Sequence, residues 1–340
     1  MARRFVLTSM ICALGTCLAG CSEKNPLELT PTSIAVTSPT TGTSPTTGTS
    51  PTASTTSTAN STITTTSQPC PYTSPTVETF PYKTMPEVDS RLLSLDLHRP
   101  AGCGALPAIV WVHGGSWSSG DKYNQPMPVK ATWAHANGWT LVSINYRLTT
   151  GPEPARWPDH GDDVADALAY VVNRSAELGV DASRLALIGH SAGGHLVSIV
   201  ASDPEFTASR SLEDSTIDCV VSLDGVGYRL DDTTMVSRSV VASVFGSDRA
   251  VLESASPATQ IERHGSPGSH FLVVSRGSDG NKSVAKDFVD LVNTKGGTAE
   301  FADVGDYGHN EVNALLGAPD ETRLTPVVTD FLRRCLSGVG

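Results

Sequence analysis

Hydrophobic residues in the later part of the chain fall in short unbroken runs, set apart by stretches rich in glycine, proline, aspartate and asparagine. The run at 108–113 carries Ala108, Ile109, Val110, Trp111 and Val112 with no polar position before His113. An unbroken run of this length is the pattern of a strand covered on both faces, where period-two alternation is lost. Similar runs predict strands at 140–145, 184–188, 217–223, 271–275 and 299–302, and Thr84 and Met85 with 91–97 read as a leading hairpin. Between the runs a period of three to four takes over. Val164, Leu168, Val171 and Val172 share one face of a predicted helix at 160–178, and a second helix gets under way at 195–201. A third covers 284–292 and is ended by Gly296 and Gly297; a fourth covers 326–336, with Thr325 as its cap and Pro326 in its first turn. Strands alternating with helices in this way predict an α/β fold, a mostly parallel central sheet with helices on both faces. On such sheets active sites gather at the C-terminal ends of the strands, so the residues that follow each strand are where chemistry is to be sought.

The first 69 residues follow neither pattern. Arg3 and Arg4 precede an apolar run at 5–14 that is too short for an ordinary membrane span, which predicts an export signal over 1–20. Leu18, Ala19 and Gly20 lead directly into Cys21, which resembles the bacterial lipobox. Cys21 is thus the expected lipidated N-terminus, anchoring the protein to the cell membrane or envelope without a transmembrane helix. Residues 21–69 are dominated by Thr, Ser, Pro and Gly, and the Thr-Ser-Pro-Thr-Thr-Gly at 37–42 recurs at 43–48. So few apolar side chains cannot offset the entropy of ordering, and this stretch reads as a disordered tether. Residues 70–340 remain, long enough for one sizeable catalytic core.

Charge and cysteine content narrow the partners. The formal net charge is -11, and removing Arg3 and Arg4 with the signal takes it to -13. An acidic surface of this kind argues against nucleic acid and against charge-driven binding to anionic lipid, leaving the acyl anchor as the expected membrane contact. Cys70, Cys103, Cys219 and Cys335 lie beyond the tether. Outside the cytoplasm an even number suits two disulfides. Four cysteines allow three connectivities, and the expectation carried forward is Cys70 with Cys103 and Cys219 with Cys335. None stands in a Cys-x-x-Cys or Cys/His ligand spacing, so no metal is expected.

Candidate chemistry centres on Gly189, His190, Ser191, Ala192 and Gly193. A serine between the predicted strand at 184–188 and the predicted helix after it sits on a sharp turn whose flanks must be small, and Gly189 and Gly193 meet that need. The turn lifts the Ser191 hydroxyl above the sheet and aims the Ala192 N–H, at the helix N-terminus, toward a nascent oxyanion. His113, Gly114, Gly115, Ser116 and Trp117 follow an earlier strand, where consecutive glycines let the Gly114 and Gly115 amides face a ligand as further oxyanion donors. His113 precedes the nucleophile and is taken as structural, since the chain order expected of this arrangement places the base last.

These motifs, with Gly120, Asp121 and Lys122, the Asn145 to Leu148 stretch, Pro158 followed by Asp163, and the glycine-rich turn extended through Gly194 and His195, resemble the α/β-hydrolase esterases related to hormone-sensitive lipase and the bacterial feruloyl-esterase-like group. The resemblance spans about 85–335. It implies an α/β-hydrolase fold and a Ser/acid/His carboxylic-ester hydrolase with no metal or organic cofactor, and it implies that Arg147 and Asp163 brace the scaffold. Ser116 departs from the pattern, where such proteins often carry a third glycine. Relatives with this oxyanion loop also include formamidases, so the leaving group stays open.

The remaining partners of Ser191 should come from later strand ends. Asp279, after the run at 271–275, is the expected acid; Asp224, after the run at 217–223, is the alternative position. His309, flanked by Gly308 after the last strand, is the one histidine that meets order, loop and strand-end requirements together. His190 and His195 are expected to pack or line the cleft, His98, His135, His160, His264 and His270 to be structural, and Asp287 and Asp290 to lie on a solvated helix face. The expected reaction is acyl transfer through an acyl-enzyme on Ser191. A serine peptidase of the prolyl-oligopeptidase type and a non-catalytic surface binding module are the competing classes. The first usually carries a propeller, for which only the tether is available, and the second would need no intact triad.

Overall fold

The computed structural model describes residues 76–100, 102–123, 127–230 and 236–337. The expected signal, Cys21, the expected tether and Cys70 lie outside the described residues. Eight strands form one sheet: β1 (Thr76–Pro81), β2 (Ser94–Arg99), β3 (Leu106–Val112), β4 (Thr140–Ile144), β5 (Val180–His190), β6 (Cys219–Leu223), β7 (His270–Ser275) and β8 (Thr298–Asp303). Their order is β1-β2-β4-β3-β5-β6-β7-β8. β2 is antiparallel to both neighbours, and every other pair is parallel.

Continuous hydrophobic runs form the middle of the sheet because each of their faces meets a separate core. On one face Val110, Val112, Leu187 and Val220 pack with Leu196 and Phe288, from the helices Ala192–Ser202 and Asp279–Thr294. On the other face Ile109, Trp111, Ile188 and Val221 pack with Trp133 and Phe331, from the helices Met127–Ala136 and Leu324–Cys335. Each fully buried Val, Leu, Ile or Phe contributes about 1.5–3 kcal/mol, so the two layers fix the strand register that positions the loops above them. A disulfide between Cys219 and Cys335, 116 residues apart, ties β6 to the last helix, as expected. Cys103 is also disulfide-bonded.

Three local expectations change. Thr84 and Met85 lie outside regular structure, and the edge strand is instead Thr76–Pro81, whose side chains are almost all exposed and so carry no apolar period. The predicted helix at 160–178 is two helices, Asp159–Asn173 and Ser175–Leu178. The last helix begins at Leu324 without Thr325 as its cap. Its amides are taken by the Glu321 carboxylate, which accepts from Arg323 N at 2.6 Å and Leu324 N at 2.7 Å and also from Thr325 N. Burial pushes the Glu321 carboxyl up, but these amide hydrogen bonds outweigh it and bring it down to about 2.

Candidate active site

Ser191 joins β5 to the helix Ala192–Ser202 with φ 56° and ψ -119°, a conformation that costs a non-glycine residue of order 1–3 kcal/mol and persists only where packing enforces it. The packing is visible in the flanking glycines. A Cβ on Gly189 would lie 2.1 Å from the Gly193 carbonyl oxygen, and one on Gly193 would lie 2.1 Å from that of Val112. No side chain fits at either position, so the turn is locked between its own helix and the end of β3.

Register then selects the partners of Ser191. His190 pairs with Leu223 across β5 and β6, and Leu223 pairs with Val274 across β6 and β7. Ser191 N donates to Leu223 O at 3.0 Å, and Asp224 N donates to Val274 O at 2.8 Å, which carries the ladder one residue past the strands. Asp224 therefore emerges one strand away from Ser191. His309, the first residue of the helix His309–Leu315, closes the set: its Nε2 is 2.9 Å from Ser191 Oγ, and its Nδ1 is hydrogen-bonded to Asp224 Oδ2. With Nδ1 donating to the carboxylate, Nε2 is left as the acceptor facing the hydroxyl.

The expectation for the acid is corrected here: the imidazole's partner is Asp224, not Asp279. Asp279 lies beyond β7, one strand farther from Ser191, where the chain has turned outward into the helix Asp279–Thr294. It is exposed as that helix's first residue, a place where negative charge is favoured by the helix dipole. Asp224 is only 2% exposed. Burial disfavours its charge, yet hydrogen bonds from His309 and from Arg276, whose Nε lies 2.7 Å from Oδ2, hold the carboxyl below its usual range. Sequence reasoning assigned no role to Arg276; a charged residue directly after a buried run was the available signal.

The glycine loop packs against the elbow. A Cβ on Gly114 would meet His190 O at 2.8 Å and Ser191 Cβ at 3.1 Å, so the loop backbone lies directly on the serine. Gly115 has φ 119°, and its carbonyl accepts from Ser118 N and Ser119 N at 3.1 and 3.0 Å. That carbonyl is held within its own turn, and Gly114, Gly115 and Ser191 line a common cleft of about 330 Å3 with His309. A second cleft of about 380 Å3 also includes Ser191 and His309 and is walled by Trp117, Val226, Val240, Arg276 and Asn281.

The other histidines near Ser191 are committed elsewhere. His113 Nδ1 donates to Gly114 O at 2.7 Å, and its ring stacks on Tyr146. His190 Nε2 donates to His309 O at 2.8 Å, and its ring lies 4.6 Å from the His309 ring, so it braces that residue. His195 Nε2 donates to Ala255 O at 2.7 Å, while its Nδ1 accepts from Trp117. Burial brings each of these three down to about 4, which keeps them neutral near pH 7. Arg147 and Asp163 form a buried pair, with Nε and Nη2 donating to Oδ2 and Oδ1 at 2.7 and 2.9 Å. Among the described residues, no group of three or more His, Cys, Asp or Glu side chains is arranged to hold a metal ion.

Comparison with known proteins finds relatives of the chain. A family model described as BD-FAE matches residues 95–279, more than half of the chain. The chain is 34% identical over 200 residues to the probable carboxylic ester hydrolase LipM of Mycobacterium tuberculosis, covering 55% of this chain and 45% of that protein. It is 31% identical over 186 residues to esterase LipC of the same organism, covering 51% and 44%. The chain thus spans less than half the length of these curated relatives. A truncated form of a carbohydrate esterase from gut microbiota superposes with a TM-score of 0.62 at 20% identity, over 76% of this chain and 96% of that one, a likeness of fold.

Proposed function

The chain belongs to the BD-FAE family, and on that premise we propose that it is a serine carboxylic-ester hydrolase. One observation carries the reading: a single imidazole, that of His309, bridges the Ser191 hydroxyl and the buried Asp224 carboxylate. His309 Nε2 takes the proton as Ser191 Oγ attacks the ester carbonyl carbon, and Asp224 stabilises the imidazolium and fixes its tautomer. The amides of Gly114, Gly115 and Ala192 hold the oxyanion, each such donor contributing on the order of 10²- to 10³-fold in rate. Collapse breaks the ester C–O bond, and the alcohol leaves with the proton from His309. Water then gives a proton to His309 and attacks the acyl-enzyme, releasing acid and restoring Ser191.

The leaving group is tested by a panel of 4-nitrophenyl esters of graded chain length, a feruloyl ester and formanilide. Ester turnover that exceeds formanilide turnover is the expected outcome; cleavage of formanilide alone would make the chain a formamidase.

The reading extends to location. Arg3, Arg4, the apolar run at 5–14 and the small residues before Cys21 support export and lipidation at Cys21, with residues 21–69 as the tether. The Cys219–Cys335 bridge supports an oxidising compartment. Cys21→Ala is expected to move the protein from the membrane fraction to the soluble one. Unchanged detergent partitioning of this variant would refute the anchor.

A further inference from the structure

Arg276 is the residue directly after β7, and it stands where the register brings that strand end beside Asp224. Its Nε donates to Asp224 Oδ2, the same oxygen that His309 engages. A structural role would end there, with a guanidinium neutralising a buried carboxylate. Two further observations go beyond it. Arg276 lines the cleft that holds Ser191 and His309, with its side chain 24% exposed. Among the described residues no hydrogen bond engages its two terminal nitrogens, and it is the sole permanent cation lining that cleft.

A guanidinium is charged at every working pH and presents five N–H donors in a planar fork matched to carboxylate geometry. With Nε on Asp224, the fork is held in place and four donors remain for a ligand, a preorganised arrangement that lowers the cost of binding. Among the described residues that line this cleft the charged pair is Asp224 and Arg276, while Val226, Val236, Val240, Ser237 and Asn281 are uncharged. The chain as a whole carries -11, so an anionic substrate meets no general attraction from the surface. Beyond roughly 8 Å that unfavourable field is screened at physiological salt, whereas a direct contact with a partly buried arginine is screened less.

We propose that Arg276 makes the cleft selective for esters that carry a carboxylate close to the scissile bond. This names a substrate class for the ester-hydrolase reading and rests on it. The carboxylate can belong to the acyl group or to the alcohol, and two substrate pairs separate these sources. Methyl hydrogen glutarate against methyl pentanoate tests the acyl side, and 4-acetoxybenzoate against phenyl acetate tests the alcohol side.

In at least one pair the unchanged protein is expected to favour the carboxylated ester in kcat/KM by roughly tenfold or more, the scale of one charge-assisted hydrogen bond. Because Arg276 also touches Asp224, Arg276→Gln should slow both members of a pair, but the ratio should fall to about one. Arg276→Lys should restore much of the ratio by returning the charge. In the unchanged protein, raising salt from about 0.05 to about 0.5 M should shrink the preference, a measurement that does not depend on any variant folding. Neutral esters hydrolysed with no charge preference in either pair, or a preference that survives Arg276→Gln, would overturn this inference alone. Turnover of 4-nitrophenyl esters with none of these four would overturn this inference alone, whereas turnover of no ester at all would overturn the ester-hydrolase reading and this inference with it.

Discussion

Ser191→Ala and His309→Ala are each expected to reduce ester turnover by on the order of 10⁴- to 10⁶-fold, and the double substitution should cost little more than either single one. The two side chains perform one event. Without the hydroxyl there is nothing for His309 Nε2 to deprotonate, and without the imidazole at 2.9 Å the hydroxyl keeps its proton. What survives in every variant is the activity of the oxyanion donors and the cleft, which are backbone and neighbouring side chains that these substitutions leave in place. Steady-state kinetics of the three variants on one 4-nitrophenyl ester checks this. Losses that multiply, so that the double variant falls by the product of the single effects, would mean that Ser191 and His309 act independently.

The second large effect separates the two carboxylates. Asp224→Asn should lower kcat by on the order of 10⁴-fold in a folded protein, because an amide can donate to Nδ1 and so favour the tautomer with its proton on Nε2, where a base cannot accept one. Arg276 adds to the cost, since its Nε would face a neutral amide in place of the buried charge it now neutralises. Asp279→Asn should stay within about twofold of the unchanged protein, as an exposed first-turn carboxylate is worth only ~0.3–1 kcal/mol to its helix. Activity that survives Asp224→Asn and is lost on Asp279→Asn would return the acid to the end of β7.

The contrast between these carboxylates shows where sequence information ends. β3, β5 and β6 were legible because burial on both faces leaves an unbroken apolar run, and the elbow was legible because Gly189 and Gly193 occupy positions where no Cβ fits. Asp224 and Asp279 each follow a buried run and each precede a glycine, so local pattern excludes neither. Only the pairing of β5 with β6, a contact between residues far apart in sequence, decides between them. The same holds for Arg276, whose meaning depends on a carboxylate 52 positions earlier in the chain. The edge strand Thr76–Pro81 was hidden for the opposite reason, since a strand that buries almost nothing carries no apolar period. Glu321 was missed as a cap because its carboxylate acts from outside the helix it serves, whereas the Thr-Pro pair at 325–326 carried the usual sequence signal.

The central claim is that Ser191 is a nucleophile activated by His309, and covalent labelling tests it without any assumption about substrate. A fluorophosphonate probe reacts with a serine whose proton is removed by a neighbouring base, forming a stable phosphonyl adduct on Oγ with loss of fluoride. Incubation of the folded protein with the probe, followed by peptide mass spectrometry, should find one adduct, on Ser191, and His309→Ala should label far more slowly. No labelled serine, or an adduct on any other serine of the folded protein, would contradict the account.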